Sequence, residues 1–429
     1  MTDESMPAAL RFMLAARRCE LQSLESLAFT CELVTLISQL VHALQKERGY
    51  SNMYLGSLQE RLLTTLDDLS GAAERSEKQV RECLERLDLG GSTDKARLLN
   101  RIAFVLYSLD DLPRLRRRVR EQRVTSNEAM AAFTRLIGGL LAVVFEAADT
   151  ALDPELTRAL VAMFNFMQGK ELAGQERATG VAGFAAGYLD EAQHEQMRHL
   201  LEGQQRCFEI FREYANTSAL VLWEELLAGD MEAQVRSLRG VAQRTSKSTT
   251  VETGLGELWF EVCTRRIDAM KQVENLLARD LLQRCRQSIA QAGADLENHR
   301  TLLKRLVGNA ANSQPVLFNV QGTALDGVPQ DGIGSQLNRS ILDLVHQQTQ
   351  RLQALGDELK EARSTLGERK RIEQAKRLLM ERYQLGEQAA HEQLLRTAMD
   401  SGKRLAEVAD QVLAHVHKDT AGTAKPARK

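Results

Sequence analysis

Two short stretches, 129 residues apart in register, each set an arginine directly after a glutamate and ahead of a run of small side chains. In LQKERGYSNMYLGS, from Leu44, the pair Glu47-Arg48 is followed by Gly49, Ser51 and Gly56. In GQERATGVAGFAAG, from Gly174, the pair Glu176-Arg177 is followed by Ala178, Gly180, Gly183 and Ala185. Arginine keeps its proton at any physiological pH and presents a planar fork of N–H donors. Small neighbours let helices approach closely, which would set each guanidinium at a tight helix seam. Spacing alone leaves a second reading standing: two ordinary surface arginines and a chance echo.

A second kind of chemistry is concentrated near the C-terminus. From Arg369 to Arg404 there are nine Lys or Arg residues against five Asp or Glu. The basic residues cluster at Arg369, Lys370, Arg371, Lys376, Arg377 and Arg382, then at Arg396, Lys403 and Arg404. The apolar residues around them recur with helical period. Leu366, Ile372, Ala375, Leu379 and Met380 mark a first helix. Ala389, Leu394, Leu395 and Ala398 mark a second, and Leu405, Val408, Ala409, Val412 and Leu413 a third, with breaks at Gly386 and Ser401-Gly402. The composition fits either a nucleic-acid-binding unit or a small dimerisation unit with solvated charges.

The rest of the chain must position these groups. Its 429 residues suffice for two or three domains and are rich in helix formers, with only 6 Pro. Leu33, Ile37, Leu40 and Leu44, widened by Val34 and Val41, begin a pattern of long helices that persists to about residue 305. The expected fold is all-α: long helices in two connected four-helix bundles, a linker helix, and a small three-helix domain. The expected division is 1–29 as an N-terminal extension, 30–305 as the bundles and 306–336 as a flexible Gly/Pro/Asn-containing linker. A connecting helix with a sparse coiled-coil stripe follows at 337–364, then the basic unit at 365–418 and a disordered tail at 419–429.

A net charge of -2 excludes a general polyanion binder, so any nucleic-acid surface is local. The six cysteines are scattered, which reads as a reducing cytoplasm. Leu136 to Phe145 is the longest apolar run and is too short to span a bilayer, so no membrane is expected. Glu191-x-x-His194 lacks the second E-x-x-H that a ferritin-like di-metal site needs. Thr245 to Thr250 reads as a loop. Asp110-Asp111 reads as a charged turn and Arg114 to Arg120 as a solvated face. No Walker loop, zinc spacing or nucleophile elbow is present. Neither enzyme activity nor a metal or cofactor is expected.

Two resemblances add to this reading. The run R-x-x-I-E-x-A-K-x-x-L-M-E-R, Arg369 to Arg382, with the following Ala389 helix and Lys403 to Ala409, resembles the ANTAR domain, an RNA-binding output module. Arg377 stands where that family often has Gly. The motifs Q-K-E-R-G-Y-S, Gln45 to Ser51, and W-F-E-V-C-T-R-R-I-D-A-M-K-Q-V-E, Trp259 to Glu274, resemble the NIT domain, an all-helical nitrate and nitrite sensor. That resemblance implies ligand contacts at Arg48 and Arg266 and, through the internal echo, at Arg177, with nitrate or nitrite as effector. Two or three arginine forks from different helices would satisfy a flat, weakly basic anion with charge-assisted bonds.

The ANTAR resemblance implies RNA contacts at Arg369, Lys376, Arg382, Arg396, Lys403 and Arg404, made to a leader mRNA hairpin through shape, phosphates and loop bases. Together the two imply a cytoplasmic transcription antitermination regulator of nitrate-assimilation genes. Anion binding would release the output domain to RNA, the protein would act as a homodimer, and it would contact the transcribing RNA polymerase. The alternative is a helical signalling scaffold with a protein–protein output.

Overall fold

The computed structural model describes residues 8–57, 61–87, 96–150 and 153–309, then 368, 371–376, 378–380, 382–383, 385, 387–401 and 403–422. Arg369, most of the linker 306–336 and the connecting segment 337–364 lie outside the described residues. The architecture is all-α, with helices joined into bundles and a small helical unit at the C-terminal end. The helices are α1 (Ala8–Ser57), α2 (Arg61–Glu85), α3 (Ala96–Asp110), α4 (Leu112–Arg120), α5 (Ser126–Thr150), α6 (Pro154–Ala185), α7 (Glu191–Tyr214), α8 (Thr217–Ala228), α9 (Asp230–Arg244) and α10 (Leu255–Asn309). In the C-terminal unit they are α11 (Glu387–Ser401) and α12 (Leu405–Gly422), preceded by helical residues 371–376 and 378–380.

Several boundaries differ from the sequence reading. Residues 8–29 are no separate extension but the first half of α1. Helix α10 runs to Asn309, into the start of the linker, and α12 passes Asp419 to end at Gly422. Helix α6 continues through Gly169. A helical glycine costs only about 1 kcal/mol against alanine. Here it makes room for a neighbour, because a Cβ at Gly169 would lie 2.6 Å from Cε1 of Phe208. Where helices do start, the caps account for it. Asp153 accepts from Leu156 N ahead of Pro154, Asp190 and Gln193 form a capping box, and Asn216 accepts from Ala219 N.

Helices α1, α5, α6 and α10 form the centre. Helices α2, α3 and α4 flank α1 and α5, while α7, α8 and α9 flank α6 and α10. The stripe Leu33, Val34, Ile37, Leu40, Val41 and Leu44 is wholly buried in the main core, with Leu160, Val161, Met167, Met270 and Leu281. Two smaller cores lie beyond it: one around Trp259, Phe184 and Val235, the other around Tyr54, Leu66 and Val119. A polar layer at residues 45–52 of α1, 170–177 of α6 and 264–274 of α10 separates the main core from both. The C-terminal unit has its own core of Ala375, Leu379, Ala390, Leu394, Ala398, Val408 and Ala409. It is Ala390 that faces inward there, not Ala389.

Two helices carry windows long and apolar enough to cross a bilayer, Leu14–Gly56 and Ser126–Asp149. The unbroken run Leu136 to Phe145 did not reveal them, because interspersed polar residues hide a window's mean. In this fold α1 and α5 pack on each other as core helices, and α1 carries the buried charges of Glu47 and Arg48.

On the main-core side of the polar layer, Lys170, Lys271 and Glu274 meet beside His42. Glu274 and Lys170 are fully buried and ion-paired, and Lys271 Nζ also reaches Ser38 Oγ at 2.9 Å. Burial alone would raise the Glu274 carboxyl, but Lys170 and Lys271 hold it down at about 2. His42 lies 3.5 Å from Asp268. Burial, then Lys170, Lys271 and Lys46, nevertheless outweigh the nearby carboxylates and push the imidazole down to about 2. The unfolded chain takes a proton on this residue below pH 6.5 and the folded chain does not, so stability falls as pH drops through that value. Chemical unfolding measured at pH 6.5 and 5.5 should lose about 1 kcal/mol to this residue, and His42→Gln should remove that part of the slope.

Candidate functional site

The side chains from Gln45 to Tyr50 reach partners on several neighbouring helices, and Gln45 and Arg48 share Glu171. Gln45 Nε2 donates to Glu171 Oε2 at 2.8 Å, and Lys46 Nζ lies 3.2 Å from Asp268 Oδ2. Glu47 is 1% exposed and turns outward to α4, where it accepts from Arg116 Nε at 2.7 Å and Nη2 at 2.9 Å, and from Ser70 Oγ at 2.7 Å. Arg48 turns the other way, toward α6. Its Nη1 donates to Glu171 Oε1 at 2.6 Å and to Thr134 Oγ1 at 2.8 Å, and its Nη2 to Glu171 Oε2 at 3.1 Å. Tyr50 packs edge-on against Phe260, centroids 5.5 Å apart.

The echo on α6 repeats the pattern. Glu176 turns outward and accepts from Arg239 Nε at 2.6 Å and Nη2 at 2.8 Å, and from Gln204 Nε2 at 2.8 Å. Burial pushes its carboxyl up, but Arg239 first and Arg266 next hold it below the usual carboxylate range. Arg177 turns back toward α1. Its Nη1 donates to Thr264 Oγ1 at 2.8 Å and its Nη2 to the Gln45 carbonyl at 3.0 Å, and its guanidinium lies 4.9 Å from the Phe260 ring centre. Among the described residues no carboxylate forms an ion pair with Arg177. Burial, then the charge of Arg48, pushes this guanidinium down to about 10.

The two helices run parallel at this level, with Gln45 beside Glu171, Arg48 beside Gly174 and Gly49 beside Arg177. Each guanidinium lies against a glycine of the other helix. A Cβ at Gly49 would sit 2.3 Å from Arg177 Nη2, and one at Gly174 would sit 2.7 Å from Arg48 Nη2. Between them is a small cleft, with a free volume of about 10 Å³, lined by Arg48, Asn52, Gly174, Arg177 and Phe260, with Gly49, Met130, Ala178 and Val181. Such a cleft suits a small polar solute and not a large apolar one.

The structure thus brings Arg48 and Arg177 together and places Arg266 elsewhere. Arg266 Nε donates to Glu232 Oε2 at 2.8 Å and its Nη1 to Gln204 Oε1 at 3.1 Å, on the outward side of α6 and α10. It is 3.8 Å from Glu176 and does not line the cleft. Sequence reasoning missed Glu171, Thr134, Thr264, Asn52, Arg116 and Arg239. Thr134 and Thr264 are separated by nearly the echo spacing and were open to discovery. Glu171 was not, since its echo position is His42. The Glu191-His194 pair is structural: His194 Nε2 is 3.0 Å from the Thr245 carbonyl. No group of three or more His, Cys, Asp or Glu residues placed to hold a metal occurs among the described residues.

In the C-terminal unit Arg382, Arg396, Lys403 and Arg404 are exposed. Lys376 is 6% exposed, with Nζ 2.9 Å from Glu373 Oε1, so its charge faces that carboxylate. Arg369 lies outside the described residues. The unit touches the bundle through α11. The buried His391 ring stands 5.4 Å from His199 of α7, and Arg206 Nη2 is 3.4 Å from His391 Nε2. Glu392 is pushed above its usual value by a hydrogen bond shared with Glu195 of α7, with burial second.

Gly49→Ala isolates the guanidinium geometry from helix stability. Alanine is the better helix former by about 1 kcal/mol, and the atoms its Cβ meets belong to the movable end of Arg177. The variant should melt no lower than the native protein and bind nitrate at least about tenfold more weakly. Calorimetric titration with parallel thermal melts checks both.

Comparison with known proteins agrees with this geometry. Residues 39–282 match the NIT family, described as nitrate and nitrite sensing, and residues 360–413 match the ANTAR domain. The chain is 35% identical over 408 residues to the nitrate regulatory protein of Klebsiella oxytoca, covering 95% of each chain. It is also similar to the solved structure of the NasR transcription antiterminator, with 32% identity and a TM-score of 0.59 over 96% of this chain and 100% of that one. This chain therefore belongs to the NIT family as a nitrate- and nitrite-sensing transcription antitermination regulator with an ANTAR RNA-binding domain.

Proposed function

We propose that nitrate or nitrite binds in the cleft between Arg48 and Arg177 and that its binding frees the C-terminal unit to hold a leader-RNA hairpin and prevent termination. The observation that carries this is Arg177, a guanidinium only 2% exposed that forms no ion pair with a carboxylate among the described residues. Burying an unbalanced charge is strongly unfavourable, and an anion in the cleft relieves it. Arg48 contributes its remaining N–H groups. Arg266 acts at one remove, through Glu176, whose chain neighbour is Arg177. The docked contact of His391 with α7 supports a masked output in the empty state. Arg382, Arg396, Lys403 and Arg404, with Arg369, meet the RNA, while Lys376 orders the first helix of the unit through Glu373.

The working division of the chain is a sensor of two connected four-helix bundles from Ala8 to Asn309 and an output unit that ends at Gly422. The setting is cytoplasmic, the active form is a homodimer, and the RNA-bound form meets the transcribing polymerase.

The two arginines differ in what their loss leaves behind. Arg177→Ala removes an unbalanced charge, so the protein should stay folded while nitrate affinity falls by roughly tenfold to more than a hundredfold, the worth of about 1.5 to 3 kcal/mol for charge-assisted bonds. Arg48→Ala strands the buried Glu171 and should also lower the melting temperature. Filter binding of the full-length protein to leader RNA reads the switch. Native protein should need nitrate, Arg177→Ala should not respond, and Arg206→Glu, which breaks the contact with His391, should bind RNA without nitrate. Equal RNA affinity of the native protein with and without nitrate refutes the release scheme.

A further inference from the structure

We infer that Glu171 sets the valence of the anion this sensor accepts: by filling the fork of Arg48 it leaves the cleft one net positive charge, which a monovalent oxyanion neutralises and a divalent one overfills. The inference rests on the anion-site reading given above.

The argument starts from a broken symmetry. Arg48 and Arg177 are echo partners, and each donates Nη1 to a threonine of a neighbouring helix at 2.8 Å and backs onto a glycine of the other helix. Only Arg48 has a carboxylate. Glu171 is 2% exposed and is fastened from both sides, by Gln45 Nε2 at 2.8 Å on Oε2 and by Gln175 Nε2 at 2.9 Å on Oε1. Held by two amides and a guanidinium, it has neither the room nor the solvent to turn away. The cleft therefore carries two positive charges and one negative.

Neighbouring charges do not alter this count. Glu47 is matched by Arg116, Glu176 and Glu232 by Arg239 and Arg266, and Asp268 by Lys46. Glu171 counts because it is bonded to Arg48 from behind the cleft, whereas Lys170 and Lys271 share Glu274 on the main-core side and, among the described residues, none of these three bonds to Arg48 or Arg177. In a site this buried, a residual charge of either sign is unfavourable, so discrimination by charge is steep. Shape cannot do the same work, because the remaining N–H groups of Arg48 and Arg177 and the Asn52 amide can donate to planar and tetrahedral oxyanions alike.

Perchlorate and sulfate separate charge from shape, being tetrahedral ions of similar size with one and two charges. Competition against nitrate is measured by displacement calorimetry on the full-length protein at constant ionic strength. Native protein should favour perchlorate over sulfate at least tenfold, and Glu171→Gln should move that ratio toward sulfate at least tenfold. The double variant Glu171→Gln with Gln175→Glu returns a carboxylate one turn along α6 and should restore the native preference. An unchanged ratio in Glu171→Gln overturns the inference, as does failure of both tetrahedral ions to displace nitrate from either protein. If Glu171→Gln does not fold, Gln175→Glu alone brings the count to zero and must weaken nitrate at least tenfold, and unchanged affinity is equally fatal. Arg177→Ala run in parallel tells the two failures apart: retained nitrate binding there defeats the site itself, whereas lost binding with an unmoved ratio defeats only the valence rule.

Discussion

A guanidinium buried between helices must be balanced, and most of the polar layer follows from that requirement. Glu47, Arg48, Lys170, Arg177, Glu176, Arg266 and Glu274 are all nearly inaccessible to solvent. Six of the seven are locked in pairs across helix seams, so each pair fixes the register of one helix against another: Glu47 with α4, Glu176 with α9, Lys170 with α10. The seventh, Arg177, is held by a hydroxyl, a carbonyl and an aromatic face, none of which carries a full negative charge. Among the described residues the layer is a set of ion pairs in which Arg177 alone of these seven has no oppositely charged partner.

This layer also divides the packing. Below it lies the large core of α1, α5, α6 and α10. Above it, the Tyr54 core belongs to α1, α2, α4 and α5, and the Trp259 core to α6, α7, α9 and α10. The two upper cores meet across the cleft through Tyr50 and Phe260 and through the guanidinium groups themselves. Trp259 Nε1 donates to the Arg177 carbonyl at 2.9 Å, and Gly180 admits the indole ring, which a Cβ there would meet at 2.3 Å. A change in the charge of the cleft therefore falls on the joint between two packed bodies rather than on the interior of one.

The sequence made the helices legible because their apolar stripes are long and regular, and the six-residue stripe from Leu33 to Leu44 is buried throughout. It also made Arg48 and Arg177 legible, because a repeated Glu-Arg followed by small residues is what a tight seam requires. The outward turn of the glutamates was not readable, since Arg116 and Arg239 lie on helices outside the repeat. Glu171 was hidden for a different reason: a carboxylate balancing one arm of a pseudo-symmetric site has no echo by construction. Arg266 and Lys376 expose the limit of motif reasoning. Each matches its family pattern, yet local packing turns one toward Glu232 and the other toward Glu373, which no linear pattern records.

The cleft and the output contact are linked through helices α6 and α7. Glu176 follows Gln175 and precedes Arg177 on α6, Gln204 of α7 donates to Glu176, and two residues further along α7 Arg206 meets His391 of α11. Coupling between binding sites is reciprocal in free energy. If an anion beside Arg177 weakens the hold of α7 on α11, then the docked α11 must weaken the anion by the same factor. On the release scheme proposed above, the docked state is the one in which Arg177 is left without an anion, and its stability sets the nitrate concentration at which the switch turns. A contact made of two histidines, one arginine and a shared carboxyl pair is small and polar, so it is suited to being outweighed by a single ion in a site whose electrostatic need is large.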